Sequence, residues 1–74
     1  MLSTKLTFVV SNTSTVIMKV YDAIGNLVAT PVNEKKPAGA YIVIFDTTDL
    51  PGGIYSYEVV TGSTVKIKKF MLSV

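Results

Sequence analysis

Few residues of this chain could support catalysis, because it contains neither histidine nor cysteine. Without an imidazole base or a thiolate nucleophile, the remaining route to covalent chemistry is a serine activated by a lysine. Such a pair needs a lysine desolvated beside the serine in a cleft, and a domain of 74 residues can hardly form one. We therefore predict that the protein is not an enzyme and uses no cofactor.

A metal site is also poorly supported by the side chains available. Asp46 and Asp49 flank two threonines and could contact a calcium ion. Calcium takes about 6 to 8 oxygen ligands, so two carboxylates are few for such a site. The more ordinary role of these residues is to cap the turn before Pro51. We predict that no metal is bound.

Three of the seven cationic residues lie within four positions, at Lys66, Lys68 and Lys69. The chain has no arginine, so it lacks a bidentate reader of phosphates or base edges, and we do not expect nucleic-acid binding. Lysines on an edge strand commonly prevent aggregation, which is the simpler interpretation of this cluster. The alternative is an electrostatic contact with a partner protein.

A pattern of the form P-x-G-x-Y occurs twice, as Pro37-Ala38-Gly39-Ala40-Tyr41 and as Pro51-Gly52-Gly53-Ile54-Tyr55. Proline pre-sets φ for a β-turn, the glycine tolerates φ > 0, and the tyrosine begins a strand. The pattern therefore predicts two turns that each deliver an aromatic side chain to a sheet. A structural role is the simpler interpretation of the glycine and tyrosine in each copy, and direct recognition by a partner stays open.

The tyrosines could also form a platform for sugars, because aromatic faces stack on the apolar faces of carbohydrates. Alternation explains them better, since Tyr55, Tyr57 and Val59 share one face of a predicted strand. We expect this face to point into the core, with the tyrosine hydroxyls at its rim.

Strand-forming residues fill the chain, and no segment has a convincing helical pattern. We expect the first two strands to pair, Gly25 to adopt the left-handed region in the next hairpin, and Gly62 to mark the last hairpin turn. The polar segment 31–36 is expected to cross between sheets, with or without a short edge strand of its own. The predicted strands are 4–10, 15–22, 26–30, 41–46, 54–60 and 64–72.

Two strands carry more specific expectations. The strand 41–46 is apolar on both faces and should therefore be central in its sheet. In the last strand the apolar residues do not all fall on one face. We therefore expect a β-bulge near Lys68 and Lys69, which would shift the alternation by one residue.

These expectations together predict an all-β fold, either a β-sandwich or a small barrel of six or seven strands. With 49% hydrophobic and 16% charged residues, the chain should be packed rather than disordered. No apolar run approaches the roughly 20 residues of a membrane-spanning helix, and no signal peptide is visible after Met1. We expect residues 1–74 to be one small domain and a fragment of a longer secreted protein.

Five segments in a fixed order resemble a known family. They are VYDAIGNLV at 20–28, PAG at 37–39, FD at 45–46, LPGGIYSY at 50–57 and KKFML at 68–72. In this order they resemble the C-terminal sorting domain of type IX secretion substrates in Bacteroidota.

The resemblance implies a small immunoglobulin-like antiparallel β-sandwich at the C-terminus of a cargo protein. A translocon in the outer membrane would read the domain after export to the periplasm, and a sortase would remove it at the cell surface or on secretion. The residues expected to contact these partners are Gly39, Tyr41, Gly53, Tyr55, Lys66, Lys68 and Lys69.

Two other function classes remain open from the sequence. The same sandwich pattern is similar to the Ig-like domain of flagellar hook-capping proteins, which would make it an architectural module. A glycan-binding accessory module is the other alternative. Whatever the function, a small sandwich has edge strands, so we expect dimers to form through them at high concentration.

Overall fold

The protein is described by a computed structural model over residues 2–73, which form six β-strands. Among these residues there is no helix with the length and apolar character needed to cross a bilayer. The strands are β1 Ser3–Val10, β2 Ser14–Tyr21, β3 Leu27–Lys36, β4 Gly39–Asp46, β5 Gly53–Thr61 and β6 Thr64–Leu72.

The strands form two antiparallel sheets that make a small sandwich. One sheet has two strands in the order β1-β4, and the other has four in the order β3-β2-β5-β6. The predicted all-β sandwich is therefore confirmed. The predicted pairing of the first two strands is wrong, because the chain crosses from one sheet to the other between Val10 and Ser14.

The core lies between the sheets and follows the period-two alternation of the strands. Val16, Met18 and Val20 on β2 are completely buried, while Ile17 and Lys19 between them are only partly covered. The predicted inward face of β5 is confirmed. The remaining buried apolar residues are Leu6, Phe8, Val10, Val32, Tyr55, Tyr57 and Val59.

Residues 31–36 do not cross between the sheets as predicted but continue β3 as an edge strand. Met18 pairs with Val32 and Val20 with Ala29, so β3 contains one extra residue opposite Lys19. This β-bulge accommodates Pro31, which has no N–H to donate to a regular ladder.

β4 is not the central strand that its composition predicts. Among residues 2–73 it pairs with β1 alone, and its other side is an edge. Tyr41, Val43 and Phe45 face the core, whereas Ile42 and Ile44 point outward and are 64% and 57% exposed. Apolar residues on both faces therefore mark an uncovered surface here rather than burial on both sides.

The bulge predicted in β6 is also absent. The strand pairs with β5 in an unbroken register from Gly53–Leu72 to Thr61–Thr64. Phe70 and Leu72 pack against the core, while Lys68 and Lys66, on the same face, are exposed. The inward-facing residues change from lysine to apolar along β6 because only the C-terminal half of its inner face is covered.

Candidate recognition surfaces

The two P-x-G-x-Y motifs adopt the same local geometry. Gly39 and Gly53 each begin a strand with positive φ, 157° and 148°. The hydroxyl of Tyr41 donates to the carbonyl of Pro37 at 2.6 Å, and that of Tyr55 donates to the carbonyl of Pro51 at 2.7 Å. Each tyrosine thus closes the bend that precedes its own strand, as a tyrosine corner does in Ig-like domains.

The two motifs lie at opposite ends of the sandwich. Gly39 pairs with Val10, close to the point where β2 begins. Gly53 pairs with Leu72, near the end of β2 at Tyr21. The structure therefore does not bring the four motif residues predicted for recognition into one contact site.

The rings of Tyr41 and Tyr55 pack against other side chains. The Tyr41 ring stacks on Phe8 with the centroids 5.2 Å apart, and the Lys36 ammonium lies 4.7 Å from its centroid. Tyr55 is 4% exposed and stacks on Phe70 at 5.8 Å. These contacts cover the Tyr41 and Tyr55 rings, and the prediction of a core role is confirmed for Tyr55.

The lysine cluster is divided between the two faces of β6. Lys66 and Lys68 pair with Val59 and Tyr57, whose side chains point into the sandwich. Lys69 has the opposite parity and lies on the outer face of the four-stranded sheet. All three lysines are exposed, so one partner surface meets either the inner pair or Lys69, unless it wraps around the strand.

A groove of about 290 Å³ lies beside the inner pair of lysines. Tyr57 and Val59 contribute apolar surface, and Lys66 and Lys68 contribute positive charge. The groove's other residues include Thr7 and Val9 of β1, together with Phe8, Ala40, Tyr41, Ile42 and Thr61. The groove could not be identified from the sequence, because its walls come from strands of both sheets.

The hairpin between β2 and β3 is held by the side chain of Asp22. Its Oδ1 accepts hydrogen bonds from the N–H groups of Asn26 at 2.9 Å and Ile24 at 3.1 Å. The bond from the Asn26 N–H is the largest cause that holds the pKa of Asp22 below its ordinary value. Gly25 has a φ of 90° and Gly62 a φ of 59°, so both predicted turn positions are confirmed.

Asp46 caps the turn after β4, as predicted. Its Oδ1 accepts a hydrogen bond from the Thr48 N–H at 2.9 Å. The hydroxyl and the N–H of Thr48 hold the pKa of Asp46 below its ordinary value. Within residues 2–73 no three acidic, histidine or cysteine side chains are grouped in a way that could hold a metal ion.

The outer face of the four-stranded sheet carries exposed apolar residues that were not predicted from the sequence. They are more than two-fifths exposed and lie on or beside three strands. In the sequence these residues are visible as apolar side chains at the alternate strand positions, on the face opposite to the core. The exposed residues are Leu27, Ile54, Val65, Ile67 and Met71.

The chain that forms this small sandwich with two tyrosine-closed bends is similar to a known protein family. Residues 3–73 match the model of the secretion system C-terminal sorting domain. The chain belongs to this family. No curated protein and no solved structure matches the chain. Members of a sorting-domain family carry a signal for transfer to the cell surface or the medium, and their role is generally non-catalytic.

Proposed function

We propose that this sorting domain directs a cargo protein fused ahead of it through the type IX secretion system of a member of the Bacteroidota. The observation that carries the proposal is the family match over residues 3–73. The cargo would pass through the periplasm to the translocon in the outer membrane. A sortase would then act at the cell surface, and the domain itself would perform no catalysis.

The contacts with these partners follow from the surfaces described above. The P-x-G-x-Y bends present rigid corners at the two ends of the sandwich, with Gly39 and Tyr41 at one end and Gly53 and Tyr55 at the other. Lys66 and Lys68 offer positive charge on one face of β6, and Lys69 offers it on the other. A translocon subunit that binds along the β6 edge would meet one of these faces, and would contact both only by wrapping around the strand.

The export test uses a fluorescent reporter with a periplasmic export signal, placed ahead of residues 1–74 in a type IX-competent bacterium. We expect the reporter to reach the surface or the medium only when both the domain and the translocon are present. A reporter without the domain should remain periplasmic. Equal export from a strain that lacks the translocon would contradict the proposal, as would failure of the domain to carry any foreign cargo.

The contribution of the lysines is tested by Lys68→Ala combined with Lys69→Ala. Both side chains are exposed, so we expect the melting temperature of the isolated domain to change little while export decreases. Separate single variants then assign the effect to the inner or the outer face. Unchanged export of the double variant would show that the two lysines only solvate the strand.

A further inference from the structure

The four-stranded sheet is covered by a sheet of only two strands, and this leaves β1 with an open side. Within residues 2–73, β1 is hydrogen-bonded to β4 alone. The N–H of Thr47 donates to the carbonyl of Leu2 at 2.9 Å, which fixes the phase of the ladder. In an antiparallel pair, alternate residues bond to the partner, so Lys5, Thr7 and Val9 direct their backbone groups away from β4.

One hydrogen bond confirms this direction. The Tyr57 hydroxyl donates to the carbonyl of Thr7 at 3.1 Å. The groove described above therefore borders a row of backbone groups that β4 does not use. The Thr7 carbonyl in this row already accepts from Tyr57 and keeps one lone pair for the N–H of another strand. The Lys66 and Lys68 side chains lie along the same groove, and their spacing of two residues places them roughly 7 Å apart along β6.

We propose that this groove binds an extended peptide segment of another protein, which adds to β1 as a third strand and carries acidic side chains at alternate positions. In an added strand, as in β6, every second side chain points to the same face. Side chains at positions i and i+2 of the peptide would point inward and place their carboxylates opposite Lys66 and Lys68. Backbone pairing with β1 supplies affinity, and the charges select the peptide.

A second copy of this chain does not have the required pattern. Its acidic residues are Asp22, Glu34, Asp46, Asp49 and Glu58, and no two of them are separated by two positions. The bound segment is therefore assigned to a different protein. This inference does not depend on the export proposal, because it concerns only how the groove recognises a peptide.

Titration of the ¹⁵N-labelled domain with a synthetic peptide, acetyl-Thr-Val-Thr-Glu-Thr-Glu-Thr-Val-Thr-amide, tests the inference by NMR. We expect saturable shifts and slowed hydrogen exchange at the amides of Thr7 and Val9. Replacing both glutamates by glutamines, or placing them side by side, should weaken binding. Raising the salt concentration should weaken it as well.

Variants of the domain separate the contributions of charge and backbone. Lys66→Ala with Lys68→Ala should weaken binding on the order of tenfold, the size expected from two exposed ion pairs. Lys69→Ala is the matched control and should have no effect, because Lys69 lies on the outer face. Thr7→Pro removes a free-edge N–H that β4 does not use, and should abolish binding while leaving the fold.

Several results would overturn the inference. These are equal binding of the glutamine peptide, equal loss with Lys69→Ala, or binding without any change at the Thr7 and Val9 amides. Concentration-dependent shifts at these amides without peptide would assign the groove to a second copy instead. Failure of the parent domain to bind the peptide, in a domain that still exports the reporter, would reject the groove and leave the proposed function intact.

Discussion

Tyr41 and Tyr55 make the same hydrogen bond in different surroundings, and this provides a matched pair of substitutions. The Tyr55 bond is partly buried, whereas the Tyr41 bond is exposed and water can replace it. We expect Tyr55→Phe to lower the free energy of unfolding by about 1 kcal/mol, because the Pro51 carbonyl loses its partner. Tyr41→Phe should cost less. Urea denaturation measures both, and an equal loss would contradict this account of the two bends.

The Asp22 carboxylate makes the stability of the domain depend on pH at the acidic end. Its folded-state pKa lies below that of the unfolded chain, chiefly because of the Asn26 N–H. The hydrogen bonds therefore stabilise the fold fully above a pH of about 4, and their contribution is lost as the pH falls through the lowered pKa. We expect the parent to lose more stability than Asp22→Ala between pH 5 and 2, as measured by thermal melts. Parallel curves for the two proteins would argue against this role.

At the scale of the elements, the start of β5 depends on one backbone conformation. Gly53 has a φ of 148°, and a Cβ placed there would meet nothing within 4 Å. The cost of a side chain therefore comes from the backbone rather than from a clash. We expect Gly53→Ala to lower the free energy of unfolding by about 1 to 3 kcal/mol, and Gly53→Val by at least as much.

Gly52 provides the control in the same bend, because its φ is not positive. Gly52→Ala should change stability little by the same measurement. Equal losses at the two positions would mean that the bend as a whole, rather than the conformation of Gly53, resists substitution.

The success of sequence-based prediction depended on how each strand is covered. The positions of β2 and β5 along the chain were predicted to within one residue, since each is hydrogen-bonded on both sides and keeps one face on the core, although the predicted pairing of β2 with β1 was wrong. The prediction for β4 was wrong because composition does not reveal that Ile42 and Ile44 face solvent. The change of parity in β6 suggested a bulge, whereas its cause is the end of the covering sheet. Coverage is a property of the tertiary fold and cannot be read from a single strand.

For the recognition residues, local geometry was predictable and their grouping was not. The bends at Gly39 and Gly53 follow from the repeated motif. Their separation to opposite ends, and the groove that Thr7 and Lys68 both line, follow from the order of the strands in the two sheets.

At the scale of the whole molecule, the edge of β4 lacks the charged residues that protect edge strands against self-association. Its outward residues Ile42 and Ile44 are exposed, and no charged residue lies between Gly39 and Phe45. We expect weak dimers at near-millimolar concentration in sedimentation experiments. Ile44→Lys should reduce them, while Ile24→Lys, in a turn where the side chain is 84% exposed, should not. Monomers throughout this concentration range would reject the prediction.

The pairing of β1 with β4 has a consequence for the order in which the molecule folds. Leu2 and Thr48, joined across this sheet, are 46 positions apart, whereas the hairpins β2–β3 and β5–β6 pair strands that are adjacent along the chain. Closing the longer loop costs more entropy and slows the step that depends on it. In pulse-labelling exchange during refolding, we expect β1 amides to gain protection last. Until then Leu6, Phe8 and Val10 stay accessible to solvent. A protein that binds the unfolded chain can therefore bind β1 for longer than any other strand.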